Sequence, residues 1–495
     1  MKILVTGGTG LIGESTVREL LRRGHTVRVL SRHAGRDEPW LPASVETWRG
    51  DVAEERTLEG AADGCDAILH VAGIIDEAPP ARTFQRVNIE GTRYVVLEAE
   101  RAGVRKIVYV SSLGAERGAS PYHKSKSVAE DVVRAFTRDW VVVRPGAVYG
   151  PGDEHISRML RLVRSMPVVP TIGDGNQPFQ PIWHEDLARA LAIAIERDDL
   201  RCVSLDVAGT EITSQNDLVS RFRTLTGRDV PQAALPDVIA SWGVRVLDTL
   251  GVDAPLNESQ LAMLAEGNVI PAGRSNALTD AFGVAPTKLA DGLRRLVDDQ
   301  PEQLPDQGVG ALERQRYWVD VRGARLDADQ LYDYIRNQFP SLMPPIVRVI
   351  DPERVRIAEG ETITLELPLR GQMQVRVAEV MDRRITLLTV VGHPIAGAVR
   401  FLVEPRGDAL RFEIQVYDRP ASTFDALMLR TVGRWAQRGV WIEFARNVAA
   451  AAGGTAADIQ RDDATLDERE AALVNEWASA LSAQLSRNAT SSGRD

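Results

Sequence analysis

Cysteine is scarce in this chain: Cys65 and Cys202 are the only two among 495 residues. A pair so far apart, without metal-ligand spacing, excludes a disulfide framework and a zinc site, and no metal is expected. It fits a reducing compartment. Strongly basic stretches are also lacking, and the net charge is −10, which argues against nucleic acid as a partner. No uninterrupted apolar run approaches the ~20 residues of a membrane helix, so no transmembrane segment is expected. The first apolar run starts at Met1-Lys2, leaving no room for a signal peptide. A cytoplasmic protein is therefore the expectation. What the chain does have is the ordinary composition of a soluble globular protein, with 44% hydrophobic and 26% charged residues, and a length that calls for two or three domains.

The N-terminus carries the first functional signal. An apolar, β-branched run, Met1 to Thr6, leads into Gly7-Gly8-Thr9-Gly10-Leu11-Ile12-Gly13, and a helical pattern follows through Val17, Leu20 and Leu21. Strand, glycine turn and helix are the context of a dinucleotide-binding loop. Gly7 permits the tight turn, Gly10 a close approach of backbone to pyrophosphate, and Gly13 close packing of helix on strand. The helix N-terminus then offers free N–H groups to the phosphates. Further strands are expected at Thr26–Leu30, Val45–Arg49, Ala67–Val71, Lys106–Ser111 and Trp140–Arg144, with helices at Phe84–Ala102 and Tyr122–Phe136. This alternation predicts an α/β, Rossmann-type, doubly wound parallel sheet. Residues 150–298 are less regular, with helices near Asp186–Glu196 and Gln260–Glu266, and would form the substrate side.

Tyr122 and Lys126 stand four apart, which puts a phenol and an ammonium on one helical face. Ser111 and Ser112 end the strand before them. The second strand ends Val29-Leu30-Ser31-Arg32-His33. NAD sites place a carboxylate there; none is present, and Arg32 suits a 2′-phosphate, so NADP(H) is favoured over NAD(H).

The pattern changes at residues 299–308, a polar, proline-bearing stretch that reads as a linker between a domain of residues 1–298 and a second of residues 309–454. A helix is expected from Ala328 to Phe339, ending before Pro340. Period-2 segments follow around Ile363, Val375, Ile385, Val399 and Leu410, predicting an antiparallel sheet. A long helical pattern then runs from Phe424 through Trp435 and Phe444 to Val448. The domain is expected to end at Ala449–Gly454. Residues 455–495 form a tail with an amphipathic segment near Leu466–Leu485.

Residues 1 to about 295 resemble the short-chain dehydrogenase/reductase superfamily, in its extended and atypical, epimerase/dehydratase-like branch. The resemblance rests on the glycine loop, Gly50-Asp51-Val52, His70-Val71-Ala72-Gly73, Val87-Asn88-Ile89-Glu90-Gly91-Thr92, Tyr109-Val110-Ser111-Ser112, the Tyr122/Lys126 spacing, Arg144-Pro145-Gly146-Ala147-Val148-Tyr149-Gly150 and Pro181 to Ala188. Leu261–Asn268 is similar to the subgroup related to a complex I accessory subunit. The resemblance implies that Tyr122 is the general acid/base, helped by Lys126, whose charge would lower the tyrosine's pKa of ~10. It implies a serine hydroxyl on the substrate oxygen, Ser112 by register with Ser111 as runner-up, and Asn88 orienting the lysine and a water. It implies cofactor contacts from Gly7, Thr9, Gly10, Leu11, Ile12, Gly13, Asp51, Val52, Val71, Ala72, Gly73, Lys126, Pro145 and Val148. The second domain resembles the helix-grip fold of START and Bet v 1 type, which implies an apolar or lipid-like ligand.

The expected function is NADP(H)-dependent hydride transfer at a carbonyl or carbinol carbon of a small-molecule, apolar substrate. Two alternatives stand beside it: a non-catalytic NADP(H)-binding assembly or redox-sensing protein, and a lipid-binding protein with an appended nucleotide-binding module. Nothing in the sequence sets the oligomeric state.

Overall fold

The computed structural model describes residues 1–32, 41–42, 44–166, 168–235, 266, 268–368, 371–428 and 434–492. Of the helix expected near Gln260–Glu266, only Glu266 lies within the described residues. The chain forms two compact units, one holding Met1–Leu160 with later stretches up to Asp299, the other built on Gln300–Asp495.

The strands of the first unit are β1 (Lys2–Thr6), β2 (Thr26–Ser31), β3 (Glu46–Arg49), β4 (Ala67–His70), β5 (Lys106–Val110), β6 (Asp139–Pro145) and β7 (Val203–Val207). The central strands are apolar runs buried on both faces, while the edge strand β3 is mostly exposed and β7 is half-buried at its start. All pair in parallel, in the order β7-β6-β5-β4-β1-β2-β3. One face packs Ile3, Val5, Val29 and Val143 against Val17 and Leu20 of α1 (Leu11–Arg22) and Leu187 and Leu191 of the helix His184–Glu196. The other packs Leu4, Ile68, Ile107 and Val142 against Val95 and Ala99 of α2 (Gly91–Ala102) and Ala129 and Val133 of α3 (Pro121–Arg134). The strand order reverses between β1 and β4, and a doubly wound sheet offers its binding crevice at the C-terminal strand ends there. The expected helix from Phe84 forms as a π-helical stretch, Gln85–Glu90, running into α2; it carries Asn88.

The second unit holds β8 (Glu313–Arg322), α4 (Ala328–Leu342), β9 (Arg348–Val349), β10 (Thr362–Leu367), β11 (Gly371–Met381), β12 (Arg384–Thr389), β13 (Ile395–Arg406), β14 (Ala409–Pro420), α5 (Arg434–Ala452), β15 (Gln460–Thr465) and α6 (Glu468–Ser492). The sheet is antiparallel, in the order β9-β10-β11-β12-β13-β14-β8, with β15 on the free side of β8. Alternate residues, among them Val319, Val375, Phe401 and Phe412, turn to one face and meet Leu331, Ile335 and Phe339 of α4 and Phe444 and Val448 of α5.

Three expectations about this half are corrected. Helix α4 does not stop before Pro340 but runs to Leu342, with Gln338 non-helical at φ −119° and ψ 20°. That break frees the carbonyl a proline would strike, so Pro340 sits in a fresh turn. The stretch read as a linker is bound along β12, with Gln303 N–H on the Thr389 carbonyl at 2.7 Å and Glu302 bridged to Val390. The sheet also continues past Gly454, because β15 pairs with β8 from Glu313↔Thr465 to Trp318↔Gln460. An exposed edge strand needs no apolar face, so the polar run Gln460–Thr465 carries no period-2 signal. Helix α6 then covers the other face of the sheet, setting Ala478, Leu481 and Leu485 on Ala378, Leu388 and Ala398. The long pattern from Phe424 is described as two helices, Thr423–Met428 and α5.

Phe444 is fully buried, 5.2 Å from Phe401 and 5.6 Å from Phe339 between ring centroids. Phe444→Ala is expected to cost about 3–5 kcal/mol, read from chemical denaturation. A loss below about 1 kcal/mol would contradict the packing described. Among the described residues no helix is long and apolar enough to cross a membrane.

Candidate active site

The loop after β1 has the shape of a phosphate cradle. Gly7 adopts φ +69°, and a Cβ there would meet the Ala72 amide nitrogen at 2.7 Å. A Cβ at Gly13 would overlap the Gly7 carbonyl oxygen and the Gly8 backbone. At Gly10 a Cβ would find only the Gly7 oxygen, at 3.7 Å, so this residue faces open space. Gly10 is also the N-cap of α1 and brings no side chain to its first turn. Thr9, Leu11 and Ile12 are half-buried around it. An uncapped helix N-terminus behind an open glycine is what a pyrophosphate needs, so the residues present fit a nicotinamide dinucleotide.

The other predicted contacts lie at the ends of the neighbouring strands and in the loops after them. Val71 and Ala72 follow β4, their N–H groups held by Thr6 O at 3.2 Å and Thr6 Oγ1 at 3.3 Å. A Cβ at Gly73 would lie 3.3 Å from Asn88 Oδ1 and 3.6 Å from Lys126 Nζ, which brings those three positions together. Pro145 ends β6 and accepts from Leu113 N–H at 3.0 Å, and Val148 pairs with Ile182 in a two-residue strand. Arg32 is exposed just past β2. Asp51 makes a tight turn, accepting from Ala53 N–H at 2.9 Å, and Val52 is buried beneath Gly91.

Helix α3 starts where it does because Ser120 caps it, accepting from His123 N–H, with Pro121 in the first turn. Tyr122 follows at once, its half-buried ring 6.0 Å from Phe84, with the Ser112 hydroxyl close enough to act on the phenol. One turn on, Lys126 is buried, donates from Nζ to the Val110 carbonyl at 2.7 Å and lies 4.5 Å over the Tyr109 ring. Asn88 braces the wall opposite: its Oδ1 accepts from Ile74 N–H at 2.9 Å, and its Nδ2 donates to Ile74 O and Ser125 Oγ. Ser111 belongs elsewhere. Successive strand residues point to opposite faces, and Ser111 Oγ donates to Glu130 at 2.5 Å, away from Tyr122.

The electrostatics depart from the expected pattern. Burial pushes Tyr122 up to about 12, outweighing the pull of the Ser112 hydroxyl. Burial also drags Lys126 down to about 7, against the attraction of Glu130. Among the chain's own groups burial, and not the lysine, sets the tyrosine's pKa, because both groups are desolvated. His70 is structural, bonded to Thr6 at 2.7 Å and Thr92 at 3.0 Å and held neutral by burial and by Lys126, at about 3.

Sequence reasoning missed the charged floor. Arg144 forks onto Glu130 at 2.6 and 2.8 Å, with both side chains buried, and also bonds Glu116. Arg274 reaches the same Glu116 at 2.7 Å and Asp206 at 3.2 Å. The one readable signal was an arginine inside an apolar strand, which needs a buried carboxylate.

Fold and site together define an NAD(P)-dependent, oxidoreductase- and epimerase-like enzyme class. The chain belongs to the NAD dependent epimerase/dehydratase family, which residues 3–202 match. It is 39% identical over 190 residues to a ceramide reductase of Caulobacter vibrioides, covering 38% of this chain and 59% of that protein. It is 31% identical over 264 residues to sterol demethylase protein B of Methylococcus capsulatus, covering 48% and 78%. With 2-alkyl-3-oxoalkanoate reductase of Stenotrophomonas maltophilia it shares 29% over 219 residues, covering 40% and 66%. The chain thus spans less than two thirds of the first and third of these relatives.

Proposed function

We propose that this protein is an NADP(H)-dependent reductase of a ketone on an apolar, lipid-like substrate, working in the cytoplasm. The observation that carries the reading is Tyr122 with Lys126 buried one turn away on the same helix and Asn88 and Gly73 against that lysine, next to the glycine cradle. The Tyr122 hydroxyl donates its proton to the substrate oxygen as the carbonyl becomes a carbinol. Ser112 Oγ donates a hydrogen bond to the same oxygen and keeps it against the phenol. Lys126 holds the floor of the site and, as an ammonium, stabilises the phenolate left behind. NADPH, when bound, supplies the hydride that the carbon takes up. A phenol held near 12 is protonated at neutral pH and so is able to give the proton. The apolar substrate is supported by the names of the relatives, which refer to ceramide, sterol and alkyl-oxoalkanoate chemistry.

NADP(H) is favoured by Arg32, exposed at the end of β2 with Ser31 before it and no carboxylate. Arg32→Ala is expected to weaken NADPH about 10–100-fold, the loss of charge-assisted bonds to phosphate, and NADH by no more than about twofold. Equal weakening of both in fluorescence titration would remove the argument for NADP(H). Residues 309–454 are proposed to be a helix-grip domain, a reading supported by α5 lying across the inner face of the sheet.

The direct test is NADPH oxidation with a panel of long-chain 3-oxo acids, 3-oxo sphingoid bases and 3-keto steroids. Turnover of at least one is expected. Tight NADPH binding with no turnover of any would favour the non-catalytic reading.

A further inference from the structure

Glu266 lies 143 residues from His123 in the chain, yet its carboxylate sits at the start of α3, the helix that carries Tyr122. One oxygen accepts from Ala119 N–H at 2.6 Å and from Ser120 N–H; the other accepts from Ser120 Oγ at 3.1 Å and bonds His123 Nδ1. His123 is fully buried, and its ring lies 5.2 Å from that of Tyr122. A Cβ at Gly118 would meet both the His123 Cβ, at 2.5 Å, and Glu266 Oε2, at 2.6 Å, so the loop closes on this cluster only with glycine there. The following residues tie the same loop down. Arg117 donates to the Val269 carbonyl at 3.1 Å, and Arg274 bonds Glu116 at 2.7 Å. The loop so bound, residues 113–120, is what separates Ser112 from Tyr122.

Polar bonding on this scale exceeds what a helix start requires. Ser120 already caps α3, and a carboxylate at a helix N-terminus contributes ~0.3–1 kcal/mol when exposed. Here it collects two backbone amides, a hydroxyl and an imidazole, all belonging to three residues around Tyr122: Ala119, Ser120 and His123. The carboxyl is held below its usual range: burial pushes it up, but His123 and the Ser120 amide outweigh that and keep it ionised.

We propose that Glu266 is a positioning residue for Tyr122: it fixes the first turn of α3 and the loop before it, so that the Tyr122 hydroxyl keeps its place when substrate binds. This rests on the reading of Tyr122 as the proton donor. Glu266 touches neither reacting atoms nor the glycine cradle, so its effect falls on kcat and spares the dinucleotide.

The experiment compares wild type, Glu266→Ala, Glu266→Asp and Tyr122→Phe in full-length protein, with NADPH and a ketone that the wild type reduces. Glu266→Ala is expected to lower kcat about 10–100-fold, the cost of a misplacement near 1 Å. The NADPH dissociation constant should stay within about twofold. Glu266→Asp, too short to span both the amides and His123, is expected to show the same loss in a folded protein, and it decides the question if the alanine variant does not fold. Wild-type kcat in the aspartate variant would overturn the proposal, as would a loss of NADPH affinity in proportion to the loss of kcat. Full activity of Tyr122→Phe would instead overturn the reading of the active site on which this one rests.

Discussion

Tyr122→Phe is expected to lower kcat by about 10²–10⁴-fold, the usual worth of a positioned acid or base. The dinucleotide dissociation constant and the unfolding midpoint should hardly change. The substitution removes one oxygen from a half-buried ring and leaves the contacts with Phe84 and His123. Ser112→Ala should cost less than Tyr122→Phe, and the double variant less than the sum of the two. A single-turnover assay with NADPH and ketone separates the chemical step from product release. If Tyr122→Phe reduces the ketone at the wild-type single-turnover rate, the proton comes from elsewhere.

Lys126→Met should separate activity from stability, with opposite signs. In the folded protein burial holds Lys126 at about 7, against ~10.4 in an unfolded chain. Between those values the unfolded state binds more protons, so wild-type stability rises with pH across that window. The penalty for burying the ammonium is complete below pH ~7 and gone above pH ~10.4. Methionine keeps the volume and removes the charge. The variant is therefore expected to melt higher than wild type at pH 6–7, with the advantage shrinking toward pH 10, while kcat/KM falls about 10²-fold or more. In the free wild-type enzyme, activity that needs the ammonium declines as pH rises through about 7. Parallel stability curves for the two proteins from pH 6 to 10 would show that Lys126 is not buried as a destabilised cation.

How much of this was legible in the chain differs from element to element. Strands β1, β2 and β4 to β6 are apolar, β-branched runs, and burial on both faces leaves no other use for such segments. The glycine positions of the first loop were readable because each forbids a side chain for a separate steric reason. Ser111 and Ser112 were not separable with certainty from sequence, since the choice depends on which face of β5 each meets. The structure turns Ser111 to Glu130. Strand β15 was invisible because an edge strand has no apolar side to mark it. Glu266 carried no local signal, because its partners are 143 to 147 residues away.

By itself the sequence determined the class of protein: a parallel nucleotide-binding sheet, a phosphate-cradling turn, a tyrosine and a lysine on one helical face, and a second, antiparallel half. Period and glycine placement are local properties, and local sterics and burial enforce them. Only the tertiary structure decided that Ser111 turns to Glu130, that Lys126 is a depressed amine and Tyr122 a raised phenol, and that Glu266 meets His123. Those outcomes depend on desolvation and on distances between groups far apart in the chain, and neither exists until the fold has closed around them.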